Sequence, residues 1–278
     1  MPDKKVKDNI LVVENLPTDI KKGSSFSIAQ QNPNTYTHIY FKYPCRFIPE
    51  IPRFAIKKYV NDKPDAIIFD PFAGSGTTLV EANINGYNTF GTEIDEIAKL
   101  IIKTKTTALN EEQIYKTKGY FQDIMDASIS DASLKIIPKI NNLEHWFIKE
   151  NTEYLGKMLY CIEQIPDADI RDFFKICFIS IIKKSSNADD ISPKPYVSRK
   201  IIKKPASPIR EFENTFKRYF EAIVSFSKLN TNSYTRILDG DALNFNLKQN
   251  IDLAITSPPY INAFDYVRTL RLENLWLG

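Results

Sequence analysis

The chain is poor in the side chains that bind structural metals or form disulfide frameworks. Its three cysteines, Cys45, Cys161 and Cys177, are widely scattered, and its two histidines stand alone. Because these spacings suit neither a metal site nor a set of disulfides, the sequence predicts a protein of the reducing cytoplasm. Long apolar runs are lacking as well: Ile176 to Ile182 is among the longest and is too short to cross a membrane.

An excess of charge of one sign is also absent. Lysine and arginine total 37 against 34 aspartate and glutamate residues, a formal net charge of +3. Any nucleic-acid surface must therefore come from local clustering of basic side chains. With 43% hydrophobic residues, the chain can bury a substantial core.

A glycine-containing stretch, Asp70 to Thr78, lacks the features of two common nucleotide-binding loops. It reads Asp-Pro-Phe-Ala-Gly-Ser-Gly-Thr-Thr, follows the apolar run Ala66 to Phe69 and precedes a helix-like segment. No lysine follows the second glycine, which excludes a P-loop, and Leu79 stands where a dinucleotide motif has its third glycine. A strand, a glycine turn and a helix nevertheless form a ligand cradle in α/β proteins.

Two side chains of this loop indicate what the ligand is. Asp70 offers a carboxylate to a cationic amine, and Phe72 offers an apolar wall; these groups fit the aminocarboxypropyl arm and the sulfonium of S-adenosylmethionine. The alternative is a glycine turn that binds nothing. The loop residues predicted to bind the cofactor are Asp70, Phe72, Gly74, Ser75, Gly76 and Thr77.

An acidic residue follows the second predicted strand, Asn88 to Thr92. Glu93 lies about twenty positions after the glycines, where folds of this type bind ribose hydroxyls. Asp95 instead predicts the N-cap of a helix over 96–109. The alternative for Glu93 is a local capping role without a ligand.

The segment before the glycine loop is rich in proline. Pro44, Pro49 and Pro52 predict that no helix forms from Thr37 until after Pro52, and that an amphipathic helix follows from Arg53 to Val60.

From about residue 111 to 230 helical spacing dominates, which predicts an inserted helical subdomain. Inside it, an extended proline-containing loop suits contacts with DNA phosphates, although a solvated surface loop is the alternative. The basic residues predicted to bind DNA are Lys194, Arg199, Lys200, Lys203 and Lys204.

The sheet is predicted to resume near Arg236. The strand there ends in Asp239-Gly240-Asp241-Ala242, where Asp241 can accept a hydrogen bond from the cofactor's adenine amine and the Ala242 N–H completes the pair. A buried-type strand then runs from Ile251 to Thr256.

Ser257-Pro258-Pro259-Tyr260 follows that strand and is predicted to be the catalytic turn. Two prolines fix an extended shape, so the turn presents the Ser257 hydroxyl and the Pro258 carbonyl as acceptors. These acceptors could hold the hydrogens of an exocyclic amine, whose lone pair would then point at the methyl donor. Tyr260 could stack on a base that has left the duplex.

Together, the glycine loop, the Asp239–Asp241 turn and Thr-Ser-Pro-Pro-Tyr resemble the amino-group DNA methyltransferases of bacterial restriction–modification systems. The resemblance covers roughly residues 36–110 and 234–278. It implies an α/β, Rossmann-like S-adenosylmethionine-dependent fold, double-stranded DNA as substrate and a cognate restriction endonuclease as a partner. Thr-Ser-Pro-Pro-Tyr is similar to the cytosine-N4 version of the motif, and adenine N6 stays open because Ser occurs in some adenine enzymes.

The resemblance also gives a role to the proline-rich segment. It is similar to the element that covers the methionine end of the cofactor, which makes Tyr43, Arg46 and Phe47 candidate contacts. The alternative is a stiffened loop that packs aromatic side chains on a core.

These interpretations divide the chain into four segments: an N-terminal arm and cofactor-covering segment (1–61), a first part of the sheet (62–110), the helical subdomain (111–230) and a second part of the sheet with the catalytic turn (231–278). The arm is expected to hold one strand, near Ile10 to Val13.

The family carries three further strands after the catalytic turn, so we expect an incomplete sheet whose last strand forms an exposed edge. A partner chain or self-association is expected to cover that edge and the apolar side chains around Trp276. A subunit that binds cofactor or DNA without catalysis is the alternative to an active enzyme, and RNA or protein acceptors are a third option.

Overall fold

The structure is a computed structural model, and it describes residues 11–13, 19–28, 35–131, 133–200, 202–229, 232–258 and 265–278. The strands are β1 (Leu11–Val13), β2 (Phe26–Ile28), β3 (Ile67–Asp70), β4 (Asn88–Thr92), β5 (Thr235–Leu238) and β6 (Leu253–Ala254). A 3-10 helix covers Tyr36–Ile39. The α-helices are α1 (Glu50–Tyr59), α2 (Thr77–Ile84), α3 (Glu96–Thr106), α4 (Glu111–Ile129), α5 (Leu143–Trp146), α6 (Lys149–Glu163), α7 (Ala168–Ser185), α8 (Pro208–Ser227), α9 (Tyr266–Thr269) and α10 (Arg271–Leu277).

Four strands form one parallel sheet in the order β5-β4-β3-β6. Phe69 of β3 pairs with Phe90 of β4 on one side and with Ala254 of β6 on the other. Parallel pairing brings the carboxyl ends of all four strands to one edge, where open α/β sheets bind ligands. The α/β, Rossmann-like fold predicted from the sequence is confirmed.

The strand at one edge of this sheet is shorter than predicted. β6 covers Leu253–Ala254 rather than 251–256, and within the described residues it has a neighbour only in β3. A two-residue edge leaves few backbone groups unpaired, so the edge alone argues only weakly for a covering partner.

The glycine turn joins β3 to α2 as the sequence predicts. Gly76 has φ +78°, a conformation that favours glycine, and α2 begins at the next residue, Thr77. A β-carbon at Gly76 would lie 3.0 Å from Ile102 Cγ1 of α3, so a larger residue would force the turn away from that helix.

Four local predictions are corrected by the structure. α1 begins at Glu50 rather than Arg53, because Pro52 occupies the first turn, where its missing N–H has no intrahelical acceptor to lose. A 3-10 helix overlaps the start of the segment predicted to contain no helix, and α3 ends at Thr106 rather than at 109. In the arm, β1 pairs in parallel with a second strand, β2.

The helices after α3 share one hydrophobic core with α3 and with the segment that contains the 3-10 helix. α7 lies at its centre and buries side chains along almost its whole length, including Phe174 and Phe178. The same cluster contains Tyr40, which follows the 3-10 helix, and Ile101 of α3. The helical segment predicted as an insertion therefore packs directly against α3 and against the segment that contains the 3-10 helix.

Trp276 does not form an exposed apolar surface, which corrects the expectation that a partner covers it. Its side chain on α10 is buried, and its ring packs edge-on against Phe147 and Phe178. Every helix among the described residues is too short or too polar to cross a lipid bilayer.

A buried charged network joins the 3-10 helix, α1 and α2. Glu81 Oε1 accepts hydrogen bonds of 2.9 Å from His38 Nε2 and from Arg53 Nη2, and Oε2 accepts one of 2.9 Å from Arg53 Nε. Burial alone would raise the pKa of Glu81, but the bonds from His38 and Arg53 outweigh it and hold the pKa below its usual value.

This network makes the fold sensitive to acid. Burial is the largest cause that lowers the pKa of His38 below 6.5. The unfolded chain binds protons more readily than the folded protein at both His38 and Glu81. The free energy of unfolding therefore decreases as the pH falls, first through the pH range in which histidine titrates and then through the range in which glutamate titrates.

We expect Glu81→Ala to lower the free energy of unfolding by about 3 kcal/mol or more, because it removes the buried carboxylate that pairs with His38 and Arg53. Urea denaturation measures the change. Glu213→Ala, which removes an exposed i,i+4 partner of Lys217, is the control and should cost no more than about 0.5 kcal/mol. Equal losses in the two variants would contradict a stabilising role for the buried network.

Candidate active site

A cavity of about 560 Å³ lies at the carboxyl ends of the parallel strands. This volume falls within the usual range for small-molecule and cofactor sites. Eleven of the twelve residues predicted to contact the cofactor line it: Tyr43, Arg46, Phe47, Asp70, Phe72, Gly74, Ser75, Thr77, Glu93, Asp241 and Ala242. Ser257 of the predicted catalytic turn lines the same cavity.

Gly76 is the predicted cofactor residue that does not line the cavity. It lies against Ile102 of α3, so its lack of a side chain serves the approach of turn and helix.

Asp70 ends β3 with a buried carboxyl group facing the cavity. Its Oδ1 accepts a hydrogen bond of 3.1 Å from the Phe72 amide. Burial raises the pKa of Asp70, while hydrogen bonds from the Thr256 hydroxyl and the Phe72 amide act in the opposite direction. A cation placed in the cavity would gain from a carboxylate that water screens poorly.

Phe72 is 40% exposed although it is a large apolar residue. Its position on the cavity wall, two residues after Asp70, supplies an apolar surface beside the acidic group.

Glu93 ties the glycine turn to the end of β4. Its Oε2 accepts a hydrogen bond of 2.9 Å from the Gly74 amide, and Oε1 accepts bonds from the amides of Ile94 and Asp95 at 2.8 and 3.0 Å. A carboxylate has about four acceptor sites, so one is left for a ligand hydroxyl. Burial is the main reason why the pKa of Glu93 is raised. Asp95 caps α3 as predicted, accepting from Ala98 N at 2.8 Å.

The turn after β5 is held by its own hydrogen bonds. Asp241 Oδ1 accepts from the amides of Leu243 and Asn244 at 2.8 and 2.9 Å, and these bonds lower the pKa of Asp241. Gly240 has φ +104°, and a β-carbon there would lie 1.9 Å from the Asn244 carbonyl oxygen, so the turn requires glycine.

The predicted catalytic turn is described in part. Ser257 is half-buried on the cavity wall, and Pro258 is exposed. Pro259 and Tyr260 lie outside the described residues. The glycine turn and Ser257, some 180 positions apart in the chain, therefore meet at one cavity.

The predicted DNA-binding loop is a separate feature, since none of its five basic residues lines the cavity. Asn151 of α6 holds both ends of the loop, donating to Ser185 O and Ala206 O at 2.8 and 3.0 Å. Four of the basic residues are exposed: Lys194, Arg199, Lys200 and Lys204.

Lys203 differs from the other basic residues of the loop. Its Nζ donates to the carbonyl oxygens of Lys183 and Ala188, and it lies 2.7 Å from Asp190 Oδ1. These bonds are used within the loop itself, so we treat Lys203 as a structural residue of the loop rather than as a DNA contact.

Comparison with known proteins bears on the family. A family model described as DNA methylase, covering N6 and N4 methyltransferases, matches residues 2–104. Two curated relatives are each 26% identical: the Type II methyltransferase M.MvaI of Kocuria varians over 88% of this chain, and the Type II methyltransferase M.BsoBI of Geobacillus stearothermophilus over 98%. These matches support a likeness of the chain to the DNA amino-methyltransferases of restriction–modification type. The resemblance predicted from the motifs is thus confirmed.

The chain spans 58% of the length of each of these two methyltransferases. A third relative, the Type II methyltransferase M.MjaII of Methanocaldococcus jannaschii, is 28% identical over 47% of this chain and 25% of its own length. No solved structure is significantly similar to the chain.

Two cavity residues escaped the sequence analysis. Ile94 and Leu243 line the cavity and are 73% and 89% exposed. The sequence signal that could have pointed to them is their position: Ile94 directly follows Glu93, and Leu243 directly follows Ala242. Exposed apolar side chains at a site favour contact with a flat ring.

Tyr219 of α8 also escaped the sequence analysis, because its partners lie far away in the chain. Its hydroxyl accepts a hydrogen bond of 2.9 Å from the Phe41 amide and donates one of 3.0 Å to Ser180 Oγ, while its carbonyl accepts from the Tyr40 hydroxyl at 3.2 Å. The helical region thus anchors the segment that carries Tyr43 to the cavity.

We expect Tyr219→Phe to lower the free energy of unfolding by about 1–3 kcal/mol, because the buried Phe41 N–H loses its acceptor. Chemical denaturation measures the change. Tyr154→Phe, whose hydroxyl lies 3.3 Å from the exposed Glu150 carboxylate, is the matched control and should change stability by less than about 0.5 kcal/mol. An unchanged free energy of unfolding in Tyr219→Phe would mean that the Tyr219 hydroxyl does not stabilise the fold.

Proposed function

We propose that this chain forms the cofactor-binding and catalytic part of a DNA methyltransferase that transfers a methyl group from S-adenosylmethionine to the exocyclic amine of a flipped base. Cytosine N4 is the first candidate, on the evidence of Thr-Ser-Pro-Pro-Tyr, and adenine N6 is the second. The observation that carries the proposal is the shared cavity, which the glycine turn and Ser257 both line. A cognate restriction endonuclease and a cytoplasmic location belong to the same proposal.

The residues of the cavity fit S-adenosylmethionine by their chemistry. The Asp70 carboxylate suits the ammonium group, the free acceptor site of Glu93 suits a ribose hydroxyl, and Asp241 with the Ala242 N–H suits the adenine edge. Exposed Ile94 and Leu243 suit the faces of the adenine ring. The bound cofactor would supply the methyl group.

The catalytic work of the protein would be alignment. The Ser257 hydroxyl and the Pro258 carbonyl would accept hydrogen bonds from the target amine, holding its nitrogen in the orientation for in-line attack on the methyl carbon. The bond from the methyl carbon to the sulfonium sulfur would break as the bond to nitrogen forms, and the methylated amine would then lose one proton to water. Tyr260 would stack on the extruded base. Mass analysis of nucleosides from treated DNA identifies the methylated base, and tritium counting with DNA, RNA and protein acceptors identifies the substrate class.

A subunit that binds without catalysis is the second candidate. Methyl transfer by the chain alone would exclude this candidate. Transfer only after addition of a second polypeptide would support a partner chain at the β6 edge, and light scattering would detect self-association there.

We expect Ser257→Ala to reduce methyl transfer by at least about 100-fold while the Kd for S-adenosylmethionine stays within about threefold. Asp70→Ala should instead raise that Kd by about tenfold or more, because the buried carboxylate is lost. Titration calorimetry and a tritium-transfer assay measure the two quantities. The reverse pattern would exchange the roles of the two turns.

For the basic loop, we expect the double variant Lys200→Ala and Lys204→Ala to weaken DNA binding. The plot of log K against log salt concentration should also become less steep, by about 0.9 for each phosphate contact removed. Fluorescence anisotropy across a salt series measures both. Lys116→Ala, on the exposed face of α4, is the control. An unchanged slope in the double variant would leave the loop as a solvated surface.

A further inference from the structure

A buried lysine lies behind the glycine turn and is used by none of the roles described above. Lys105, in the last turn of α3, has no exposed surface, and its Nζ donates a hydrogen bond of 3.1 Å to the carbonyl oxygen of Ser75. Its own carbonyl oxygen accepts a bond of 2.7 Å from Thr37 Oγ1, which joins the same helical turn to the 3-10 helix. A fully buried amine costs free energy unless its interactions compensate, so its position needs a reason.

The peptide that Lys105 contacts is held on both of its sides. A trans peptide directs its carbonyl and the following N–H in opposite directions. Ser75 O accepts from Lys105, and the N–H of Gly76 donates to Ala73 O at 2.7 Å. The plane of the Ser75–Gly76 peptide is thereby set between α3 and the turn itself.

Two other bonds fix the rest of the turn from the β4 side. Gly74 N donates to Glu93 Oε2, and Ala73 N donates to Thr92 O at 3.1 Å. Lys105 supplies the only side-chain support of the turn from the α3 side among the polar contacts of the described residues. Removing it would leave the turn without a side-chain hydrogen bond from α3 among the described residues, although Gly76 would still pack against Ile102.

We infer that Lys105 is a positioning residue that orders the glycine turn for the cofactor. The inference rests on the proposed function for the identity of that cofactor, S-adenosylmethionine. Lys105 does not line the cavity, so it acts through Ser75, which does.

The charged groups that face Lys105 give it no counterion among the described residues. Arg46, on the cavity wall, and His38 of the 3-10 helix are both bases, and the carboxylate of Glu81 on α2 is already paired with His38 and Arg53. Burial, followed by the charge of Arg46, lowers the pKa of Lys105 to about 7.

The acidic groups of α7 near α3 belong to a different lysine. Asp169 and Asp172 lie 3.8 and 2.5 Å from the Nζ of exposed Lys103. Because the pKa of Lys105 is about 7, its hydrogen bond to Ser75 is charge-assisted below neutral pH and becomes a weaker, neutral bond as the pH rises.

The first test uses the free protein and needs no ligand. Hydrogen–deuterium exchange of a peptide spanning residues 71–80 should become at least about tenfold faster in Lys105→Met, with little change in α7 and α8. Lys99→Met, on the exposed face of α3, is the matched control and should leave the turn unchanged. Unchanged exchange in Lys105→Met, or equally faster exchange throughout the protein, would overturn the inference.

The second test measures the Kd for S-adenosylmethionine by calorimetry at about pH 6 and about pH 8.5, which lie on either side of the pKa of Lys105. Lys105→Met should bind about tenfold more weakly than the wild type at the lower pH, and the difference should shrink to about threefold or less at the higher pH. Asp70 and Glu93 titrate in both proteins, so the comparison removes their effects. Equal affinity of the two proteins, or an equal loss at both pH values, would overturn the inference.

The two tests separate this inference from the proposed function. A wild-type chain that does not bind S-adenosylmethionine, with exchange of the turn still faster in Lys105→Met, refutes the proposed cofactor and keeps the positioning role. If Lys105→Met does not fold, Lys105→Gln, which keeps a donor without the charge, takes its place and should give smaller changes in the same directions.

Discussion

The parallel pairing of β3 with β4 on one side and β6 on the other is the constraint on which the site depends. It places Asp70, Glu93 and Ser257 beyond the carboxyl ends of neighbouring strands, so that residues far apart in the chain line one cavity. A shift of register by one residue would reverse the faces of the strand and remove the end of β3 from the cavity.

Polar groups buried behind the cavity hold its walls in place. Glu81 joins three elements through His38 and Arg53, and Glu93 spans from β4 to the glycine turn. Such groups are costly to bury unless they are paired, and here each carboxylate accepts several hydrogen bonds. Their common effect is to fix the backbone around the cavity before a ligand arrives, which lowers the entropic cost of binding.

The helical region connects two parts of the sheet in the sequence, and it also packs against elements next to the cavity. α7 and α8 pack against the 3-10 helix and α3, and Tyr219 holds the segment that brings Tyr43 to the cavity. A nucleic acid bound at the basic loop would thus contact a region that shares its core with the cofactor site. The same packing explains why Trp276 is buried, although the sequence suggested an exposed apolar surface.

Local sequence was sufficient for the features that depend on neighbouring residues. The order of strand, glycine turn and helix around Asp70 to Thr77, the cap at Asp95 and the family motifs follow from short-range backbone rules and side-chain chemistry. Long-range contacts decided the rest: the part played by Gly76 against Ile102, the commitment of Lys203 to its own loop, and the position of Lys105 behind Ser75. These depend on which surfaces meet after folding, and a buried amine looks the same in a sequence as an exposed one.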